Sequence, residues 1–283
     1  MKKDSIGILF DEQKNLGEEE EIFINLAKKK KISLVMLNVA KNINEKEIEE
    51  KIKNCKIIFN NTAENIGTEI AKTLEILGKK VIEPPETYYF IEDKWMFFIK
   101  CRNNKIPVPE TILLPENLEI AKKELKKFAK WPVILKRVYG TWGEYVEKAD
   151  NLNQAEKIIR KFWKKGSERL PIIAQEFIRS PSYRVTVIGK KIVQTAIKEN
   201  IGWKATGIYG KKFKKFKVDS SLKKILKKIN EICKMNIYGI DLLKKGNSWV
   251  VLEINAEPGL DFFKNERKKL IEEILKFLNK YKE

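Results

Sequence analysis

A lysine followed by a glycine-containing loop has the composition of a phosphate-binding element. Lys136 ends an apolar segment, and Gly140 and Gly143 follow shortly after it. Glycine lets backbone N–H groups approach a ligand closely, and an ammonium group complements phosphate oxygens. A lysine at the end of a buried strand usually has an anionic partner. On its own, however, a Gly-x-x-Gly sequence is better explained as a hairpin turn, so its interpretation depends on the other motifs.

Three oxygen-bearing side chains near the C-terminus form the second chemical element. Glu253 and Asn255 lie two residues apart on a predicted strand, so both side chains point to the same face, and Asp241 lies on the preceding predicted strand. Two carboxylates and one amide oxygen indicate Mg²⁺ or Mn²⁺ and not zinc. Because magnesium commonly bridges nucleotide phosphates, this set and the lysine loop together indicate ATP as the ligand.

The residue types that are missing exclude several classes of enzyme. The 283-residue sequence contains no histidine, which removes imidazole zinc ligands, Ser-His-Asp triads and histidine acid–base catalysis. Its cysteines are odd in number and widely spaced, at Cys55, Cys101 and Cys233, which predicts reduced, buried thiols. The chemistry must therefore depend on lysine, arginine, carboxylates and a hard metal ion.

Lysine dominates the charge of the chain. Lys and Arg number 58 against 39 Asp and Glu, which gives a net charge of +19. Such a charge attracts polyanions, including nucleic acids, acidic proteins and polycarboxylate cofactors. Because the lysines are spread along several predicted helices, we favour a solvated lysine surface over a nucleic-acid face, and an acidic partner stays compatible with it.

The N-terminus and the apolar segments predict a cytoplasmic protein. Met1 and Lys2 lead directly into a short predicted strand instead of a signal peptide. No apolar run reaches the roughly 20 residues that a membrane-spanning helix needs. Hydrophobic residues make up 43% of the sequence, which indicates a folded globular protein.

The predicted elements divide the chain into three units, residues 1–86, 87–170 and 171–283. The first unit alternates apolar strands with amphipathic helices, which is typical of a parallel α/β unit. Its predicted strands are 5–10, 32–39, 56–60 and 80–82. The second unit begins with a single predicted helix over 87–103. The third begins with strands that we expect to form a meander, over 172–177, 183–188 and 191–198.

Eight motifs in this order resemble the ATP-grasp superfamily, in particular its RimK/LysX branch of carboxylate–amine ligases. They are Asp93-Lys94-Trp95, Ile106-Pro107-Val108-Pro109, 131–136, 140–143, 175–178, Tyr183-Arg184-Val185, Gly239-Ile240-Asp241 and 252–255 followed by Pro258-Gly259-Leu260. The resemblance covers the whole chain. It implies an α/β (α+β) fold with an N-terminal Rossmann-like domain, a small central lid domain and a C-terminal antiparallel-sheet domain. The ATP cleft would lie between the last two domains.

The resemblance also implies a role for each candidate site residue. Lys94 and Lys136 match the lysines that reach the nucleotide phosphates, and Arg184 and Lys198 match catalytic basic positions near the γ-phosphate. The metal ligands would be Asp241, Glu253 and Asn255. The other residues implied in nucleotide binding are Gly140, Thr141, Trp142, Gly143, Gln175, Glu176, Phe177, Ile178 and Lys204. Of these, Trp142 is interpreted as a packing residue that covers the site, and backbone groups of Phe177 and Ile178 as contacts of the adenine edge.

Four positions depart from the pattern of the family. Thr206 stands where asparagine is common, Tyr209 where arginine is common, and Ser182 where aspartate is often found. Glu257 replaces a small polar residue. These departures indicate either a specialised acceptor pocket or a weakened paralogue. We favour specialisation, because both phosphate-binding lysines and all three metal ligands are present.

The resemblance implies an ATP-dependent ligase that joins an amino acid to a carboxylate through an acyl phosphate. The implied acceptor is a glutamate of an acidic carrier protein or tail, and the alternative is a small polycarboxylate cofactor. A non-catalytic ATP- or nucleic-acid-binding paralogue is the alternative from another class. A ligase similar to D-Ala–D-Ala ligase or glutathione synthetase fits the motifs less well. Relatives are dimers or tetramers, so a homo-oligomer is also implied.

Overall fold

The computed structural model of the chain describes residues 4–12, 16–41, 44–62, 65–140, 143–164, 170–198, 202–204, 212–256 and 258–282. Within these residues, the strands form one parallel sheet and two antiparallel sheets. None of the helices in the described ranges is both long and apolar enough to cross a bilayer.

The first sheet is parallel and has the strand order β2-β1-β3-β4. Its strands are β1 (Ser5–Phe10), β2 (Ser33–Asn38), β3 (Cys55–Asn60) and β4 (Lys80–Ile82), and the connecting helices are α1 (Glu18–Lys29), α2 (Glu45–Ile52) and α3 (Asn65–Ile76). All six residues of β1 are buried, as expected for a central strand that is covered on both faces. The four strands predicted for this unit are confirmed to within one residue at each end.

The predicted helix over 87–103 is wrong in one respect, because the structure divides it in two. Helix α4 spans Pro85–Glu92 and α5 spans Lys94–Asn103. Between them, Asp93 has extended backbone dihedral angles, and its Oδ1 accepts a hydrogen bond from Met96 N at 2.8 Å. Aspartate is a favoured N-cap residue, so α5 begins at Lys94 for a local reason. The break places Lys94 in the first turn of α5.

The second sheet is antiparallel, with the order β5-β8-β6-β7. Its strands are β5 (Thr111–Leu114), β6 (Val133–Arg137), β7 (Val146–Ala149) and β8 (Ile172–Glu176), and its helices are α6 (Leu118–Phe128) and α7 (Leu152–Lys164). The predicted meander is therefore wrong about its first strand, because β8 pairs with β5 and β6. The sequence prediction also missed β5, which is short and is defined by its pairing with β8.

The third sheet is antiparallel and has the order β11-β10-β9-β12-β13. Its strands are β9 (Ser182–Ile188), β10 (Lys191–Lys198), β11 (Phe213–Lys214), β12 (Ile237–Lys245) and β13 (Ser248–Asn255). Helix α8 (Ser220–Cys233) buries Leu222, Leu226 and Ile229 against one face of this sheet. The sheet therefore has a covered face and a face that is available for a site.

Two features connect the first sheet to the third. The C-terminal helix α9 (Lys264–Lys282) buries Leu270, Ile274 and Leu278 in a cluster that also contains residues of β1 and β3. The carboxylate of Glu83 accepts hydrogen bonds from the backbone N–H groups of Asn236 (2.7 Å) and Ile237 (2.6 Å) at the start of β12. The division into domains at residues 86 and 170 stays a prediction, although β8 and α9 both pack outside the unit predicted for them.

Candidate active site

A cleft between the second and third sheets brings several predicted site residues together. The empty space in it, including the part that is open to solvent, is about 300 Å³. One wall comes from α5 and the second sheet, with Lys94, Lys136 and Gln175, and the other from β13, with Glu253. Its remaining lining residues are mostly apolar: Phe97, Phe98, Val108, Pro109, Ile173, Val251 and Leu252. Apolar walls with a few convergent polar groups are typical of small-molecule sites.

Lys136 begins a buried chain of hydrogen bonds whose other members are neutral. Its Nζ donates to Oε1 of Gln175 at 2.9 Å, and Nε2 of Gln175 donates to Oγ1 of Thr111 at 3.0 Å. Thr111 in turn donates to the carbonyl oxygen of Pro109 at 2.9 Å. Burial lowers the pKa of Lys136 to about 8, a shift that the charge of Glu253 opposes and that of Lys94 reinforces.

Lys94 is held against the strand that leads into the glycine loop. Its backbone N–H donates to the carbonyl oxygen of Val138 at 3.2 Å, and its Nζ donates to the carbonyl oxygen of Gly140 at 2.5 Å. The hydroxyl of Tyr139 donates to Oδ2 of Asp93 at 3.1 Å. Burial lowers the pKa of Lys94, and the charges of Glu253 and Asp93 oppose this shift. The start of α5 and the loop are therefore linked by three hydrogen bonds.

Both glycines of the loop have positive φ angles. Gly140 has a φ of 142° and Gly143 a φ of 70°, in the region where side chains are disfavoured. The predicted site residues Thr141 and Trp142 lie outside the described residues. So do Thr206, Tyr209 and Glu257, three of the four departures from the family pattern, whereas the fourth, Ser182, is buried at the start of β9.

The segment from Gln175 to Ile178 crosses from the second sheet to the third. Gln175 and Glu176 end β8, whereas the side chain of Ile178 packs with Leu243 and Val250 of the third sheet. The carboxylate of Glu176 accepts hydrogen bonds from Nζ of Lys245 at 2.7 and 2.8 Å.

The backbone N–H of Phe177 donates to the carbonyl oxygen of Pro132 at 3.3 Å. This donor is thus already used inside the protein, and the predicted contact of backbone groups of Phe177 and Ile178 with the adenine stays a prediction.

Arg184, Lys198 and Asp241 form a buried ionic cluster on three neighbouring strands. Nε and Nη2 of Arg184 donate to Oδ1 and Oδ2 of Asp241 at 2.6 and 2.8 Å, and Nζ of Lys198 donates to Oδ1 at 3.0 Å. Burial opposes ionisation of Asp241, but the two cations outweigh it and hold the pKa of the carboxyl well below its ordinary range. Burial lowers the pKa of Lys198, and the charge of Asp241 opposes that shift.

The backbone leaves space for this cluster. A Cβ atom on Gly239 would lie 2.4 Å from Nη1 of Arg184, so only glycine fits beside the guanidinium group. The same Nη1 donates to the carbonyl oxygen of Pro258 at 3.2 Å. The ring of Phe262 lies 5.5 Å from Nζ of Lys198 and 5.7 Å from Cζ of Arg184.

The three predicted metal ligands share one face of the third sheet. Asp241 is opposite Glu253 in the β12–β13 pairing, and Asn255 is opposite Gly239. Nδ2 of Asn255 is buried and has no hydrogen-bond partner among the described residues. Two carboxylates and an amide oxygen are a donor set that suits Mg²⁺ or Mn²⁺. Within the described ranges, no three His, Cys, Asp or Glu side chains form a metal-binding cluster. The proposed metal site therefore needs the amide oxygen of Asn255 in addition to the two carboxylates.

Nζ of the predicted site residue Lys204 lies 5.5 Å from the ring of the adjacent Trp203. Sequence reasoning missed three residues that organise the site: Thr111, Tyr139 and Phe262. Their neighbours carried a signal, because Pro109, Gly140 and Leu260 each belong to one of the family motifs.

Known proteins resemble this chain over most of its length. A family model described as a RimK-like ATP-grasp domain matches residues 91–278. The coenzyme gamma-F420-2:alpha-L-glutamate ligase of Methanocaldococcus jannaschii is 24% identical over 220 residues, which are 74% of each protein. The alpha-aminoadipate–LysW ligase LysX of Saccharolobus solfataricus is 28% identical over 209 residues, 71% of this chain and 74% of the relative.

A solved structure of a RimK domain ATP-grasp protein from Sphaerobacter thermophilus has a TM-score of 0.77 at 18% identity. It covers 96% of this chain and 98% of the other. This likeness confirms the predicted ATP-grasp fold. The family model covers well over half of the sequence. The names of both relatives that match the sequence describe them as ligases. The chain therefore belongs to the RimK-like ATP-grasp family and is an ATP-dependent ligase that forms C–N bonds.

Proposed function

We propose that the chain joins an amino acid to a carboxylate in two steps, through an acyl phosphate. First, an oxygen of the acceptor carboxylate attacks the γ-phosphorus of ATP, the bond to the bridging oxygen breaks, and ADP leaves. Then the amine attacks the acyl carbon, the C–O bond to phosphate breaks, and the amine loses a proton. The observation that carries this proposal is the shared cleft, in which Lys94 and Lys136 lie opposite Glu253.

In this proposal the two cleft lysines bind the triphosphate. Because the partner of Lys136 is the neutral amide of Gln175, its positive charge stays available for a phosphate oxygen. Lys94 would exchange the carbonyl oxygen of Gly140 for a phosphate oxygen, which would free the glycine loop to cover the nucleotide. Exclusion of water by that loop would protect the acyl phosphate from hydrolysis.

The adenine is proposed to contact the crossing segment between the sheets. Glu176 is fixed there by Lys245, and the N–H of Phe177 is already engaged, so Ile178 is the proposed source of a backbone contact. The resemblance adds three more residues to the proposed nucleotide site: Thr141, Trp142 and Lys204.

Arg184 and Lys198 are proposed to stabilise the charge that develops during phosphoryl transfer. Both are fixed in position by Asp241, so they do not need to reorganise during the reaction. Asp241, Glu253 and Asn255 would hold Mg²⁺ or Mn²⁺. When bound, such an ion would neutralise phosphate charge.

The proposed acceptor is a glutamate, at the C-terminus or in a side chain, of an acidic carrier protein or tail. One relative is named as a ligase of alpha-aminoadipate and LysW, and the net charge of +19 favours an acidic acceptor. A small polycarboxylate cofactor is the second candidate, favoured by the relative that is named as a coenzyme F420 glutamate ligase.

The test is a coupled assay of ADP release with purified protein, Mg²⁺ and ATP. A panel of amino acids would be combined with either a synthetic peptide that ends in consecutive glutamates or a short γ-linked polyglutamate. We expect ADP release that requires both an amino acid and one of the two acceptors, with the peptide as the better substrate. A preference for the γ-linked compound would select the cofactor instead.

Substitutions of two assigned metal ligands complete this test. Asp241→Ala and Glu253→Ala should abolish ADP release, whereas Asp150→Ala, whose carboxylate pairs with Lys148 outside the cleft, should not change it. Full turnover by Asp241→Ala or by Glu253→Ala would refute the assigned metal ligands.

We further propose that the enzyme works in the cytoplasm as a dimer or tetramer, as the resemblance implies. Trp95, Met96 and Ile99 of α5 are only half-buried and are candidates for a contact between subunits. Light scattering after size-exclusion chromatography measures the mass directly, and a monomer over a wide concentration range would refute the oligomer.

A further inference from the structure

An aromatic side chain lies over the two cations of the ionic cluster. The ring centroid of Phe262 is 5.5 Å from Nζ of Lys198 and 5.7 Å from Cζ of Arg184. Both cations are buried, with exposed fractions of 0% and 8%, whereas Phe262 is half-buried. The ring therefore covers part of the cluster on a side that borders solvent.

The segment that carries this ring is attached to the cluster. We name residues 258–263 the cap segment. The carbonyl oxygen of Pro258 accepts a hydrogen bond from Nη1 of Arg184 at 3.2 Å. Gly259 has a φ of 73°, and a Cβ atom there would lie 2.9 Å from Cε2 of Phe262. The chain thus folds back at a glycine, so that the ring packs directly on the backbone of the cap segment.

Contacts from three neighbouring elements hold the cap segment in place. The ring of Phe213 on β11 packs edge-on against Phe262, with centroids 5.1 Å apart. Asp261 pairs with Arg267 of α9, and Arg267 also pairs with Glu18 at the start of α1, at 2.6 Å. The position of Phe262 is therefore set by β11, α9 and α1 together.

The proposed reaction needs such a cover, because an acyl phosphate also reacts with water. A water oxygen would attack the acyl carbon, the C–O bond to phosphate would break, and the water would lose a proton. The products would be the free acceptor carboxylate and phosphate, so ATP would be consumed without amide formation. Arg184 and Lys198 are proposed to stabilise the transferred phosphate, so a ring over both cations also lies beside the acyl phosphate. The glycine loop, by contrast, belongs to the second sheet, on the other side of the cleft.

We propose that Phe262 is the residue that excludes water from the acyl phosphate on the side of the third sheet, and that the cap segment positions it there. This inference rests on the proposed ligase function. A phenyl ring supplies neither a proton nor a charge, so it would act by occupying space that water would otherwise fill. Its removal should therefore uncouple ADP release from amide formation and leave phosphoryl transfer in place.

The first test compares ADP release with and without the amino acid, in the presence of ATP, Mg²⁺ and the acceptor selected by the coupled assay. In the wild type, ADP release should require the amino acid. In Phe262→Ala, ADP release without the amino acid should rise at least about fivefold, and the amide formed per ADP should fall. Phe262→Tyr, which keeps the ring, should restore the requirement. The matched control is Phe263→Ala, which removes the neighbouring ring that lies 5.5 Å from Nζ of Lys215 and should leave the requirement intact.

A second measurement needs no turnover. Acetylation of the ligand-free protein by acetic anhydride, mapped by mass spectrometry, reports how readily a reagent reaches each lysine. Lys198 should resist acetylation in the wild type and in Phe262→Tyr, and it should react at least about fivefold faster in Phe262→Ala, because loss of the ring opens the cluster to solvent. Lys136 on the second sheet is the internal reference, and its rate should be the same in all variants. Circular dichroism would establish that the variants fold.

Four outcomes would overturn the proposal. They are ADP release by Phe262→Ala that still requires the amino acid, loss of all ADP release in that variant, equal uncoupling by Phe263→Ala, and unchanged acetylation of Lys198 in Phe262→Ala. If the wild type releases no ADP with any acceptor, the ligase proposal fails. The acetylation rates then still decide whether Phe262 covers the cluster, so the two failures are distinguishable.

Discussion

Two buried lysines of the candidate site, Lys136 in the lining of the cleft and Lys198 in the ionic cluster, have partners that differ in charge. The side chain of Lys136 on β6 donates to the neutral amide of Gln175, whereas that of Lys198 on β10 donates to the carboxylate of Asp241. Both residues are almost inaccessible to solvent, with exposed fractions of 7% and 0%. A buried charge costs free energy unless it is paired. Asp241 compensates this cost for Lys198, whereas the neutral Gln175 does not compensate it for Lys136.

The difference separates a ligand-binding role from a structural one. Lys198 and Arg184 neutralise Asp241 within the protein, and this cluster can form without a ligand. Lys136 lacks such a partner in its hydrogen-bond chain, and burial lowers its pKa to about 8. A polyanion in the cleft would supply the missing charge. The account therefore assigns Lys136 to direct binding of the nucleotide, whereas Asp241 also holds Arg184 and Lys198 in the positions proposed for phosphoryl transfer.

The largest effect is expected from Asp241→Asn. This change leaves Arg184 and Lys198 buried without a counter-charge, and breaking such a cluster typically costs about 3–5 kcal/mol. Urea unfolding followed by circular dichroism measures the free energy of unfolding. Asp150→Asn on the surface is the control and should leave that free energy nearly unchanged. An equally small effect of Asp241→Asn would contradict the structural role of the cluster.

The next effect is on nucleotide binding by Lys136→Met. Loss of a charge-assisted hydrogen bond to a phosphate should cost about 2–3 kcal/mol, or roughly 30- to 150-fold in affinity for ATP. Its free energy of unfolding should fall less than that of Lys198→Met, because removal of Lys136 leaves no buried carboxylate without its partner. Calorimetry of ATP binding and urea unfolding measure both quantities. The comparison fails if Lys136→Met is the less stable of the two variants.

A smaller effect is expected from Gln175→Glu, which gives Lys136 the kind of partner that Lys198 has. The new carboxylate should raise the pKa of Lys136 and repel phosphate, which weakens ATP binding about tenfold. Gln175→Leu, which removes the amide without adding charge, is the control and should weaken ATP binding less. Unchanged affinity in the glutamate variant would mean that Lys136 is not a phosphate ligand.

The last expected effect is a dependence of stability on pH. The pKa of Lys136 is about 8 in the folded chain and about 10.4 when unfolded, so the unfolded state binds more protons between these values. Stability contributed by this residue should therefore rise with pH across that window, while ATP affinity falls. The difference between the wild type and Lys136→Met isolates this contribution from other lysines. The same pH profile in both proteins would contradict the lowered pKa.

Local patterns predicted most of the elements but not the partners of the charged residues. The alternation of Glu253 and Asn255 and the apolar run before Lys136 are visible in the sequence. The cap at Asp93 was visible too, but it was interpreted as the interior of one helix. Short strands such as β5 depend on pairing with a distant segment, which propensity does not report.

The ionic cluster was hidden for the same reason. It depends on the register of β9, β10 and β12, which places Arg184 opposite Asp241, with Lys198 near enough to donate to the same carboxylate. Local sequence does not fix this register, because it is set by packing of the whole sheet. The role of each residue toward ATP stays a prediction.

A crystal structure with a non-hydrolysable ATP analogue and Mg²⁺ tests the central claim most directly. We expect a phosphate oxygen within hydrogen-bond distance of Nζ of Lys136, roughly 2.7–3.2 Å, with Arg184 still paired to Asp241. The metal ion should lie between the phosphates and Glu253. A nucleotide bound elsewhere, with Lys136 still donating to Gln175 alone, would contradict the account.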